Sequence, residues 1–151
     1  MSSIEKTRCR VKQAMFVVAL LLAGCGTADA RLTMKLSSDG GITGKGVGGV
    51  AIEGKSIEAN DMRRSCRGML RAEEESRLRE LASAARPETW PESYASAGRP
   101  HGSPDQIRYT ITAGAHSTSW YGEAGEGVPH EIMALRDALV AVKQRVLKNC
   151  P

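Results

Sequence analysis

The chain has 151 residues, with 21 Lys and Arg against 17 Asp and Glu and a formal net charge of +4. Lys6, Arg8, Arg10, Lys12 and the acidic Glu5 all fall before position 25, so the remainder is close to neutral. That balance, with aromatic residues at 4 %, excludes the basic stripe with interleaved aromatics that nucleic-acid binding needs. Taken in order, the chain opens with this basic lead and then an apolar run from Ala14 to Ala23, the two parts of a secretory signal. The run is too short to span a bilayer, which takes ~20 apolar residues.

Leu22-Ala23-Gly24-Cys25 closes the run, and small residues leading into a cysteine resemble the lipobox of bacterial lipoproteins. The resemblance implies that Cys25 is alkylated with a diacylglyceryl group, that the signal is cut after Gly24, and that the new amino group is acylated. Several acyl chains at ~0.8 kcal/mol per buried methylene make a stable anchor where one would be marginal. Gly26 follows; in that family an aspartate there goes with inner-membrane retention, so the outer membrane is expected, with the domain facing the periplasm. Two other readings stay open. Ala28-Asp29-Ala30 also fits an A-x-A cleavage site, which would release a soluble chain starting at Arg31. An uncleaved membrane helix is the other, and the length speaks against it. The expected organisation is a signal over 1–24, a lipidated tether over 25–31 and one small domain over 32–151.

Leu32, Met34 and Leu36 alternate with Thr33, Lys35 and Ser37, the period of a half-buried strand. Ser38-Asp39-Gly40-Gly41 should break it with turn chemistry. A glycine-dense segment then leads to a strand at Val50–Glu53, a two-residue turn at Gly54-Lys55 and a short strand at Ser56–Glu58. Residues 60–69 are basic and give no assignment. Ala72 to Ala85 reads as a helix: Leu78, Leu81 and Ala85 share a face, Glu73, Glu74 and Glu75 suit the dipole, and Arg86-Pro87 stops it.

The Pro/Gly/Ser-rich stretch 87–104 reads as a long loop, its Trp90 and Tyr94 either docked on the core or mobile. Gln106 to Thr112 alternates cleanly with Ile107, Tyr109 and Ile111 inward, Gly114-Ala115 turns it, and Ser117–Tyr121 is its hairpin partner. A flexible acidic loop over 122–127 precedes a last helix with Pro129 in its first turn. Ile132, Leu135, Leu139, Val142 and Val146 form its apolar stripe, and Lys143, Arg145 and Lys148 enrich its basic end. The fold class expected is α+β: an antiparallel sheet of about four to five strands with two helices on one face.

Four cysteines are present. Cys9 leaves with the signal and Cys25 takes lipid, so Cys66 and Cys150 remain, an even pair that reads as one disulfide in an oxidising compartment. Two unrelated buried thiols are the alternative; a metal site would need ligand spacing that the two lack. Gly49-Val50-Ala51-Ile52-Glu53-Gly54-Lys55-Ser56 spells the phosphate-loop pattern. Such a loop opens a helix, whereas these residues are strand-like and Glu53 would repel phosphate, so no nucleotide is expected. His130-Glu131 opens a helix as zinc proteases do, but Ala134 stands where the second histidine belongs. His101 and His116 lie in loops without a partner at ligand spacing, and no G-x-S-x-G elbow occurs. No cofactor and no enzymatic activity are expected.

A wider resemblance covers most of 32–139 in order. Ser38-Asp39-Gly40-Gly41-Ile42-Thr43-Gly44, Glu74-Glu75-Ser76-Arg77-Leu78-Arg79-Glu80-Leu81 and Trp90-Pro91-Glu92-Ser93-Tyr94 look like the emfourin family. So do Asp105-Gln106-Ile107-Arg108-Tyr109-Thr110-Ile111 and Val128-Pro129-His130-Glu131-Ile132-Met133-Ala134-Leu135. Emfourins are small protein inhibitors of thermolysin-like metalloproteases. The resemblance implies a protein partner of that class and a partner-binding element at Gly40, Gly41, Ile42, Thr43 and Gly44. This chain departs from the family in Thr43, a longer proline-rich loop, the two extra cysteines and the lipid anchor. Glycines there let a backbone approach a partner closely, or simply shape a hairpin. A structural or assembly accessory of the envelope, with no protease target, is the alternative function.

Overall fold

A computed structural model describes residues 31–42, 44–94 and 106–150. The expected signal over 1–24, Cys25, Thr43 and His101 lie outside these residues. The leading apolar alternation becomes strand β1 (Thr33–Gly40), and the glycine-dense segment leads into β2 (Gly49–Glu53). The hairpin turn at Gly54-Lys55 leads to β3 (Ser56–Asn60), and a further strand, β4 (Ser65–Met69), follows. After helix α1 (Ala72–Ala85) come β5 (Ile107–Ala113), β6 (His116–Tyr121) and helix α2 (His130–Lys148). The strands form one antiparallel sheet in the order β4-β3-β2-β1-β5-β6. The α+β class and the two helices on one face hold, and the sheet has six strands rather than four to five.

The extra strand is β4, and its pattern explains why alternation does not reveal it. Its inward positions are Cys66 and Gly68, while Arg67 and the 62 %-exposed Met69 face solvent. Gly68 has a packing reason: a Cβ there would lie 3.0 Å from Val146 Cγ2, so any side chain would push the Val146 side chain back by a few tenths of an ångström. β1 also runs further than the Ser38-Asp39-Gly40 turn signal suggests. β5 pairs with it there, setting Ser38 opposite Tyr109 and Gly40 opposite Ile107, so ladder hydrogen bonds override local turn chemistry.

One face of the sheet carries Met34, Leu36, Val50, Ile52, Ile57, Ala59, Ile111 and Trp120, all buried. Against it lie Leu78 and Ala85 from α1 and the stripe Ile132, Leu135, Leu139, Val142 and Val146 from α2. Each fully buried aliphatic side chain contributes roughly 1.5–3 kcal/mol. Tyr109 and Trp120 stack, with ring centroids 5.9 Å apart. The opposite face stays open and polar, with Lys35, Glu58 and Arg67 along it.

The helix ends follow the expected chemistry with two adjustments. Glu74 accepts a hydrogen bond from Arg71 N at 3.0 Å, and Arg86 closes α1 in a left-handed conformation (φ 49°) before Pro87. Pro129 precedes α2 as its N-cap rather than sitting in its first turn; its carbonyl accepts from Ile132 N and Met133 N. Trp90 docks: it is half-buried against the core, and its Nε1 donates to Ala85 O at 2.7 Å. Glu92 to Tyr94 then run beside β6, exchanging backbone hydrogen bonds with Ser119. Cys66 and Cys150 form a disulfide, Cα–Cα 5.9 Å, fastening the edge strand β4 to the end of α2. No helix among the described residues is long and apolar enough to cross a membrane.

Candidate functional site

The segment between β1 and β2 carries positive φ at Gly40, Gly41, Gly44, Gly46 and Gly48. This winds the chain into a compact knuckle. Gly44 N donates to Gly41 O at 2.9 Å, closing a tight turn that carries Ile42. Gly46 N donates to Gly40 O at 3.0 Å and Gly41 N to Gln106 O at 3.1 Å. At Gly46 a Cβ would collide with the Ser38 carbonyl, and at Gly48 with the Asn60 carbonyl. These two glycines are required by close backbone approach as well as by φ.

Side chains from three elements brace the knuckle. Ser38 Oγ, from β1, donates to Gly48 O and accepts from Val47 N, both at 2.8 Å. Asn60 Oδ1, from β3, accepts from Gly49 N at 3.0 Å. Lys143 Nζ, from α2, donates to Val47 O at 2.7 Å. Burial lowers the Lys143 pKa, partly offset by the nearby Asp61 carboxylate. Asp61 itself is held low by hydrogen bonds from Arg63 N and Arg64 N, which shape the β3–β4 turn.

At the apex, Ile42 is 94 % exposed. A β-branched apolar side chain held in water by a hydrogen-bonded backbone gains nothing for folding. Presented on a fixed backbone, it loses little entropy on entering a partner's pocket. Ile42 and Gly44 are exposed and Gly40 and Gly41 half-buried; Thr43, between them in sequence, lies outside the described residues.

The other sequence candidates are dispersed. His130 is exposed, its Nδ1 3.3 Å from Glu131 Oε2, and Ala134 is half-buried one turn on. His116 is exposed at the start of β6. Among the described residues no group of three or more His, Cys, Asp or Glu could hold a metal ion. Gly49 to Ser56 is strand, turn and strand, so its amides serve the sheet ladder rather than a phosphate. The bracing roles of Ser38, Asn60 and Lys143 are invisible to motif reading, because each partner is a backbone atom far away in sequence. Of the basic residues near the end of α2, Arg145 binds the Glu74 carboxylate and Met69 O, and Lys143 is spent on the knuckle.

No family model matches the chain, and no curated protein or solved structure matches it either.

Proposed function

We propose that this chain is a lipoprotein of the bacterial envelope, anchored through Cys25, whose domain binds another protein through the Gly40–Lys45 knuckle. The observation that carries the binding role is Ile42, 94 % exposed in a turn closed by the Gly44 N–Gly41 O and Gly46 N–Gly40 O hydrogen bonds, while Ser38, Asn60 and Lys143 hold the Val47–Gly49 stretch that follows. The resemblance to emfourins makes a thermolysin-like metalloprotease the proposed partner, with the knuckle entering its cleft. Two features suit an inhibitor. Backbone hydrogen bonds at Gly40, Gly41, Gly44 and Gly46 tie down the described part of the turn, which lowers the entropy cost of binding, and its positive-φ glycines depart from the extended form that a protease cuts. The Cys66–Cys150 bond supports a compartment outside the reducing cytoplasm.

The test is titration of thermolysin-like metalloproteases with the purified chain and with Ile42→Asp. Stoichiometric inhibition without cleavage is expected from the parent and at least ~tenfold weaker inhibition from the variant. Unchanged protease activity across the panel removes the inhibitor role. Mass spectrometry of the mature N-terminus tests the anchor, separating lipidated Cys25 from a chain starting at Arg31.

A further inference from the structure

The end of the sheet opposite the knuckle gathers cations around an exposed methionine. Arg31 lies over the β2–β3 turn, where a Cβ on Gly54 would meet its Nε at 3.2 Å. Lys55, the next residue of that turn, accepts a hydrogen bond from Leu70 N on its carbonyl, which brings the end of β4 alongside. Met69 stands opposite Ser56 and is 62 % exposed, and Arg71 follows at the start of α1. Arg31, Lys55, Arg71 and Met69 are all exposed. Glu53 and Glu73 are exposed at the same end and remove two units of charge; Glu74, nearby, is engaged by Arg145.

We propose that this end of the domain rests on an anionic bilayer surface, with Met69 entering the headgroup region and Arg31, Lys55 and Arg71 meeting lipid phosphates. Two observations select this occupant. Cations around a flexible apolar side chain complement a negatively charged interface, where the potential falls off within a Debye length of ~10 Å. Arg31, in this cluster, also lies only six residues after Cys25 in the sequence, a stretch that reaches roughly 20 Å at full extension. The proposal rests on the anchoring at Cys25 for bringing the domain to the membrane. It has a consequence for the knuckle: β1 spans eight residues, about 25 Å, between the two ends, so Ile42 points away from the bilayer.

Met62 supplies an internal control, being 59 % exposed and lying in the β3–β4 turn at the knuckle end. The full chain is reconstituted into phosphatidylglycerol/phosphatidylcholine vesicles and into pure phosphatidylcholine vesicles. Peroxide oxidation of Met69 and Met62 is then followed by mass spectrometry. On anionic vesicles Met69 oxidation is expected to slow roughly fivefold relative to Met62, an effect lost in high salt. The combined Arg31→Gln, Lys55→Gln and Arg71→Gln variant, with an unchanged circular dichroism spectrum, should lose it too. An equal Met69-to-Met62 ratio on both lipids, or protection of Met62 instead, overturns the proposal. Intact mass of the same sample reports the anchor separately. Met69 protection without added lipid refutes anchoring and retains the surface contact; lipid without protection does the reverse.

Discussion

Lys143 Nζ donates to the Val47 carbonyl at 2.7 Å, so a side chain of the long helix fixes a loop 96 residues away in sequence. The bond carries a desolvation cost, visible in the lowered Lys143 pKa. Lys143→Met keeps the apolar stem and removes both the bond and that cost. Global stability should therefore change by less than about 1 kcal/mol. Amide exchange at Gly46 to Gly48 should accelerate, on the order of tenfold, while exchange in β1 and β2 stays put. Denaturant melts with exchange mass spectrometry check both halves; an unchanged loop would mean that Ser38 and Asn60 suffice as braces.

Glu74 joins the two helices. Burial pushes its carboxyl pKa up, but the Arg145 hydrogen bonds, the Arg71 N–H and the charges of both arginines outweigh this, so the net shift is downward. A carboxyl lower in the folded than the unfolded state contributes stability above its unfolded pKa and loses it as pH falls through the folded one. Glu74→Gln should cost about 2 kcal/mol near neutral pH, because Arg145 is only 20 % exposed and loses its counter-charge. Below the folded pKa the parent is protonated as well, and the two stability curves should converge. Urea melts across the acid range test that convergence; a constant gap would assign the effect to packing.

The disulfide closes a long loop, with 84 residues of separation between Cys66 and Cys150. The chain-entropy argument gives ~4–5 kcal/mol for such a loop. The double Cys66→Ala and Cys150→Ala variant should melt on the order of 15 °C lower, and the reduced parent should melt with it. The loosened part should be β4, an edge strand paired on one side to β3 alone. Equal melting of reduced and oxidised protein would show that the arginine bridge from α2 to Met69 O already holds that edge.

Arg86 is the one described non-glycine residue with positive φ, at 49°. Glycine normally ends a helix in this conformation without Cβ strain. The Arg86–Glu88 ion pair is exposed on both sides and offsets little. Arg86→Gly should therefore raise stability by about 1 kcal/mol, a rise of a few degrees in the thermal midpoint. A lower midpoint would show that glycine's unfolded-state entropy prevails over the relief of strain.

Elements that bury large apolar side chains at a steady period were legible in the chain. The stripe Ile132, Leu135, Leu139, Val142 and Val146 is buried throughout, and Tyr109 and Ile111 point inward. The Cys66–Cys150 pairing followed from counting thiols. β4 was not legible, because its inward residues are a cysteine that could be read only as a crosslink and a glycine that packs by having no side chain. The glycine segment could be located but its shape could not. Whether glycines make a floppy linker or a rigid knuckle depends on Ser38, Asn60 and Lys143, which reach it from distant positions.

Two substitutions in the knuckle separate its rigidity from its contact surface. Gly46 has φ 62° and no room for a Cβ against the Ser38 carbonyl, so Gly46→Ala must rebuild the loop at a cost of roughly 1–3 kcal/mol. Ile42 touches little of its own fold, so Ile42→Asp should leave the stability within ~0.5 kcal/mol of the parent. If a partner receives Ile42, both variants lose affinity, and only Gly46→Ala also loses stability. Calorimetry on the free proteins beside titration of the partner reads the two quantities independently. A fully binding Ile42→Asp would move the contact surface elsewhere, whatever the loop's stiffness.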